Sequence, residues 1–195
     1  MSQVHLEDAR GKKIALIAHC LLNANAKVLE FARYPGIFMD VLNTLNKYDI
    51  GVVQLPCPET LYLGVQRWWH VKDLYDNPGF RKFCYNLSIP FADQINAFRE
   101  VGYKIVCILG IDGSPTCGVN LTCRSKEWGG RPKVLDFEKV LSPGRGVWME
   151  QLQNYLQDNK IAPPPFYGLA LDQREKPIEK IFQEFEAFLK ATLAG

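Results

Sequence analysis

Residues 103–119, YKIVCILGIDGSPTCGV, decide the fold. The run from Lys104 to Gly110 is short and almost wholly apolar, which predicts a buried strand. It breaks at once into GSPTCG, a turn rich in Gly and Pro that carries Cys117. Two other segments repeat the pattern. KIALIAHC, residues 13–20, closes on Cys20, and IGVVQLPC, residues 50–57, closes on Cys57. Neighbouring parallel strands share one crevice at their carboxyl ends, and ligands bind there. Three thiols delivered to one crevice point to a metal site. Three rather than four point to a metal with an open coordination position. The competing reading, three ordinary buried thiols at strand ends, is not separated from this one by topology alone.

Working outward, residues 13–21 read as a strand buried on both faces. Pro35 and Gly36 are expected to open a helix whose Phe38, Val41, Leu42 and Leu45 face the sheet. Val52–Leu55 is the second strand. Residues 58–78 are irregular and aromatic. A helical region follows, interrupted at Pro90, with Phe91, Ile95 and Phe98 on one face and a stop at Gly102. After the strand at 104–110, a polar loop runs to about Arg131. A stripe of Trp148, Leu152, Tyr155 and Leu156 marks a helix. Phe166–Leu171 is a fourth strand, and Ile178, Ile181, Phe182, Phe185 and Leu189 are the buried face of a last helix. The alternation predicts an α/β fold: a single domain with a parallel sheet of about four strands covered by helices, Rossmann- or flavodoxin-like in three layers. Residues 1–12 are expected to form a flexible leader and residues 13–195 the domain, with 119–145 able to form a flap.

Composition narrows the function classes. The 195 residues suffice for one domain with a real core. The net charge of +2 is too small to imply an obligate nucleic-acid partner. The start, MSQVHLEDARGKK, does not have the form of a signal peptide, and no apolar stretch is long enough for a membrane span. The chain is therefore expected in the cytoplasm, where its six cysteines are thiols rather than a disulfide framework. No C-x-x-C occurs, so neither a thioredoxin-like site nor a zinc ribbon is indicated. Cys107 within a strand and Cys84 near Phe80 and Phe83 read as core. Cys123, six residues past Cys117 in a polar loop, is the alternative fourth ligand.

AHCLLNANAKV (18–28), CPETLYLGVQR (57–67) and GSPTCGV (113–119), in that order, resemble the thiouracil desulfurase family. That family has Cys-Leu-Leu, Cys-Pro-Glu and Ser-Pro-Ser-Cys-Gly segments at similar separations. The resemblance implies that Cys20, Cys57 and Cys117 hold a four-iron four-sulfur (4Fe-4S) cluster whose fourth iron has no protein ligand and takes the sulfur of a small thiolated substrate. It implies non-redox desulfuration, with sulfur leaving as hydrogen sulfide. The chain departs from the family where Asn23 replaces a Gly, where Tyr-Asp-Gly is missing, and where LYLGVQRWWH replaces a Gly-Gly-Leu-Pro type segment. It looks like a divergent branch.

Around the cysteines, Glu59 is the candidate general base. Ser114 matches the family's serine and is a candidate donor to substrate or water; its other role is to shape the turn before Pro115. Asp112 is a second carboxylate. Asn23 and Asn25 offer amides that can read a heterocycle. Arg67 could clamp an anionic group and Trp68 or Trp69 could stack on a flat ring. The bland alternative for the Arg67–His70 stretch is surface packing or a homodimer patch. SPGRGVW, residues 142–148, resembles a phosphate cradle weakly and more simply starts the helix that carries Trp148. Two rival readings remain. One is a non-catalytic metal protein or sulfur carrier, with Cys123 closing a zinc site. The other is an α/β binding module with no metal.

Overall fold

The computed structural model describes residues 8–131, 133–171 and 176–195. In chain order the elements are β1 (Lys13–Ile17), α1 (His19–Leu22), α2 (Met39–Asn46), β2 (Ile50–Gln54), α3 (Pro58–Leu63), α4 (Lys72–Tyr75), α5 (Pro78–Leu87), α6 (Ile89–Glu100), β3 (Lys104–Ile111), β4 (Leu121–Cys123), β5 (Leu141–Pro143), α7 (Val147–Asp158), β6 (Phe166–Leu169) and α8 (Ile178–Ala194). β2, β1, β3 and β6 form a parallel sheet in that order. The apolar runs mark the central strands: β1 and β3 are buried past their first residue, whereas β2, on the edge, is largely open.

The strand order fixes the layers. From β1 the chain steps one way to β2, then turns back past β1 to β3. Right-handed crossovers therefore put the two sets of connecting helices on opposite faces. On one face α2 lies with α8: Phe38 meets Phe182 edge-on at 5.6 Å, and Lys47 pairs with Glu186 at 2.9 Å. On the other, α5 and α6 pack on α7 through Tyr85–Tyr155 (5.0 Å) and Phe91–Trp148 (6.4 Å). Trp148, Phe80, Phe185, Leu16, Ile17, Ile108 and Leu109 are the fully buried centre. Among the described residues no helix is long and apolar enough to cross a membrane.

Several boundaries differ from expectation. β1 ends at Ile17, so Cys20 lies on the single-turn helix α1 rather than on the strand. The first long helix starts at Met39, not at Pro35. The irregular stretch 58–78 contains α3 and α4. Cys57 caps α3 by accepting from the Thr60 N–H at 3.4 Å, and Pro58 occupies the first turn, where its missing N–H costs nothing. Of the expected leader, residues 1–7 lie outside the described residues. Residues 10–12 are tied to the sheet: Lys104 N–H donates to the Lys12 carbonyl at 2.9 Å and Arg10 to the Tyr103 hydroxyl at 3.1 Å. Within 119–145, β4 and β5 pair antiparallel over a small separate cluster of Val71, Cys123 and Val140, flanked by Trp69, Trp128, Leu135 and Phe137.

The Cys117 loop lies directly against β3. Ile111 N–H donates to the Cys117 carbonyl at 2.9 Å, and a Cβ on Gly110 would overlap that carbonyl. Gly110→Ala should therefore displace the loop. The expected result is a thermal midpoint several degrees below that of the parent chain, since about 1 kcal/mol shifts a domain of this size by roughly 2–4 °C, read by differential scanning calorimetry.

Candidate metal centre

Three carboxyl-end segments bring Cys20, Cys57 and Cys117 together at the point where the strand order reverses, β1 and β3 flanking it. Cys20 and Cys57 line one small cavity of about 70 Å³ together with Ser114, Ile111 and Phe137. Cys117, at the end of the Ser114–Pro115 turn that also lines this cavity, is 6% exposed. Burial first, and then the neighbouring charges of Cys20 and Cys57, push the Cys117 thiol well up. Burial, with Glu59 beside it, also pushes the Cys57 thiol up. Ionisation of Cys117 is thus opposed by the other two cysteines. A cationic centre would remove that conflict, because metal binding deprotonates coordinating thiols. The donor set fits an iron–sulfur cluster on this ground.

The other thiols stand apart. Cys84 and Cys107 are wholly buried core residues, and burial pushes Cys107 up to about 12. Cys123 is on β4, packs into the small cluster with Val71 and Val140, and donates to the His70 carbonyl at 3.9 Å. It is oriented as a structural thiol. Among the described residues no three His, Cys, Asp or Glu side chains crowd closely enough to share a single metal ion.

The Cys117 loop is built from both sides. Ser114 Oγ accepts from the N–H groups of Thr116 (3.3 Å) and Cys117 (3.0 Å). These N–H groups are thus spent on Ser114, and Gly118 N–H goes to the Ser114 carbonyl at 3.2 Å. At Cys57 a backbone N–H does reach the sulfur, that of Thr60. From the other side, the first turn of α7 donates into the loop. Val147 N–H bonds the Pro115 carbonyl (3.0 Å), and Trp148 N–H bonds that of Thr116 (3.0 Å). Just before the helix, Gly146 N–H bonds the Gly118 carbonyl at 2.9 Å, and a Cβ there would strike Thr116. SPGRGVW is thus a docking point for the cysteine loop, not a phosphate cradle.

Asp112, second choice as a carboxylate, clasps the loop's far end. Its Oδ1 accepts from Val119 (2.9 Å) and Asn120 (2.8 Å) N–H, and its Oδ2 from the Asn120 amide (3.1 Å).

Glu59 is 6% exposed and both of its oxygens are engaged. Oε2 accepts from Arg67 Nε at 2.8 Å, and Oε1 from the Thr116 hydroxyl at 2.6 Å. Thr116 carries no sign of this role in the sequence. Arg67, expected to clamp an anionic group, is instead an internal brace. Besides Glu59, its guanidinium donates to Thr60 Oγ1 (3.2 Å), the Gly64 carbonyl (3.5 Å), the Ala26 carbonyl (2.8 Å) and Cys57 Sγ (3.9 Å). A guanidinium has five N–H donors, so none is left for a substrate. Tyr75 lies nearby with its hydroxyl buried and unpartnered among the described residues, and burial with Glu59's charge pushes it up.

A second cavity, about 690 Å³, adjoins the first and shares Val28, Phe31, Arg67, Trp69 and Phe137 with it. Its size suits a small molecule. Trp69 borders both and packs on Phe31 and Trp128, each at 5.3 Å. Trp68 lies further out, 68% exposed, on the outer cavity alone of these two. Asn23 lines neither. It caps the turn after α1, accepting from Asn25 N–H at 3.2 Å, with its amide against His19 at 3.3 Å.

No protein-family model matches the chain, and no solved structure matches it. Over 110 residues it is 36% identical to the uncharacterized protein MJ0003 of Methanocaldococcus jannaschii, an alignment that covers 56% of this chain and 70% of that one. The chain belongs to that protein's family. Membership assigns no activity, so the chemistry must be argued from the cysteine set and its supports.

Asp112→Ala leaves three backbone N–H groups, those of Val119, Asn120 and Leu121, without their acceptor. It should cost about 3 kcal/mol and lower the thermal midpoint by roughly 6–12 °C. An unchanged midpoint in calorimetry would show that the clasp is not needed.

Proposed function

We propose that this chain is a cytoplasmic iron–sulfur-dependent desulfidase that hydrolyses a carbon–sulfur bond in a small thiolated compound, of the thiouracil-like heterocycle class. Cys20, Cys57 and Cys117 would hold a 4Fe-4S cluster. When bound, it supplies an open, Lewis-acidic iron that polarises the carbon–sulfur bond. The observation that carries this reading is geometric: Cys20, Cys57 and the Ser114–Pro115 turn that leads to Cys117 line one cavity, and they come from three separate carboxyl-end segments. A cluster distributes its ligands over different irons.

The chain's own groups handle water and protons. Ser114 lines the inner cavity, with its Oγ 3.4 Å from Thr116 Oγ1. Ser114 Oγ already accepts two N–H bonds, so its own proton is free to point at Thr116. Thr116 in turn donates to Glu59 Oε1. Glu59 is not in the cavity lining, and the Thr116 and Ser114 hydroxyls connect it to the wall. Water attacking the thiocarbonyl carbon would give up its proton toward Glu59 once one N–H bond to Ser114 Oγ opens and frees a lone pair to accept it. Oxygen replaces sulfur on carbon, and sulfide leaves with two protons as hydrogen sulfide. The wall of Trp69, Phe31 and Phe137 excludes water and offers a flat ring its stacking partner.

Replacing Cys20, Cys57 or Cys117 by Ala should abolish visible cluster absorption after anaerobic reconstitution, while Cys84→Ala and Cys107→Ala keep it. Retained absorption in the first three would overturn the reading. Glu59→Gln should retain absorption but slow sulfide release from thiolated bases and thioamides by roughly 10²–10⁴-fold. Release at the parent rate would remove Glu59 from the proton path.

A further inference from the structure

Arg67 raises a question that its loss as a substrate clamp leaves open: why a guanidinium is buried here at all. Its side chain is 3% exposed, and taking a charge out of water costs several kcal/mol unless partners compensate. The partners come from different parts of the site. The Ala26 carbonyl belongs to the segment that follows Cys20. Cys57 Sγ is itself one of the expected ligands. Glu59 follows Cys57 and reaches, through Thr116, the loop of Cys117. One side chain, together with its partner Glu59, thus joins all three ligand-bearing segments.

We propose that Arg67 is a positioning residue of the cluster, which sets both the spacing of the three cysteines and the electronic character of the iron they hold. This inference rests on the cluster reading. Two physical effects carry it. The first is geometric: a planar fork with fixed donor directions holds several acceptors at defined angles, which a flexible ammonium does not. The second is electrostatic. Reduction potentials of iron–sulfur centres respond to net charge and to hydrogen bonds donated to the sulfurs, and Arg67 supplies a positive charge and an N–H aimed at Cys57 Sγ. Both withdraw electron density from the ligand sulfur. The open iron is left a stronger Lewis acid, so a non-redox reaction also profits. Groups outside the first ligand sphere tune metal centres in this way generally.

Potentiometric titration of the anaerobically reconstituted full chain, followed by electron paramagnetic resonance, tests the idea. Arg67→Met keeps the apolar stem and removes the charge. It should move the reduction potential to a more negative value and lower the iron bound per chain. Glu59→Gln, which removes the opposing charge, should move the potential the other way. Arg67→Lys should restore most of the potential while leaving altered g-values, because the charge returns without the fork. If Arg67→Met fails to fold, as circular dichroism would report, Arg67→Lys decides through its g-values. A Met or Lys variant with parental iron content, potential and g-values would overturn the proposal while leaving the cluster reading intact. A parent chain that binds no iron would overturn both.

Discussion

A buried ion pair holds the site together. Arg67 and Glu59 meet at 2.8 Å with side chains 3% and 8% exposed. Such a pair gives little net stability by itself, yet removing either member strands a charge and costs about 3–5 kcal/mol. The pair therefore acts as a constraint rather than as glue. Each group must keep its other partners, and these are the Ala26 carbonyl, Thr60, Cys57 and Thr116. Three segments that are distant in sequence are fixed relative to one another by this requirement.

The rest of the fold supplies what the pair cannot. The strand order reverses between β1 and β3, so the segments carrying Cys20 and Cys117 flank the crevice at that point. The loop after β3 is pressed between Gly110 and Gly146, where no side chain fits. Asp112 anchors its end, and the N–H groups of α7 fill its carbonyls. Helix N-terminal N–H groups lack partners within the helix. Here they satisfy backbone carbonyls of the loop, and so α7 and the cysteine loop stabilise each other.

Much of this was legible in the sequence. The central strands are apolar along their length because both faces are covered, and that signal located β1, β3 and the helices between them. The cysteines stood out because each follows such a run. Cys20 was displaced from strand to α1 because apolar residues continue past the point where the ladder ends, and apolar character does not mark that point. α3 was readable in principle: Pro58 at its start, Glu59 in its first turn and Gly64 at its end are helix boundary signals. Arg67 was not readable. Beside two tryptophans and a histidine it looks like surface, and only the three-dimensional path of the chain turns it inward. Thr116 and Asp112 were under-read for a similar reason. A short polar side chain in a turn gives no sign in one sequence of which distant group it will bond.

The account stands or falls on what the three cysteines hold. Native mass spectrometry of the anaerobically reconstituted chain addresses this directly. The account predicts a mass increment equal to four irons and four sulfides on each chain, absent when Cys20, Cys57 and Cys117 are all replaced by Ala. A single zinc on the parent chain, or the same iron–sulfur increment on the triple variant, would contradict it.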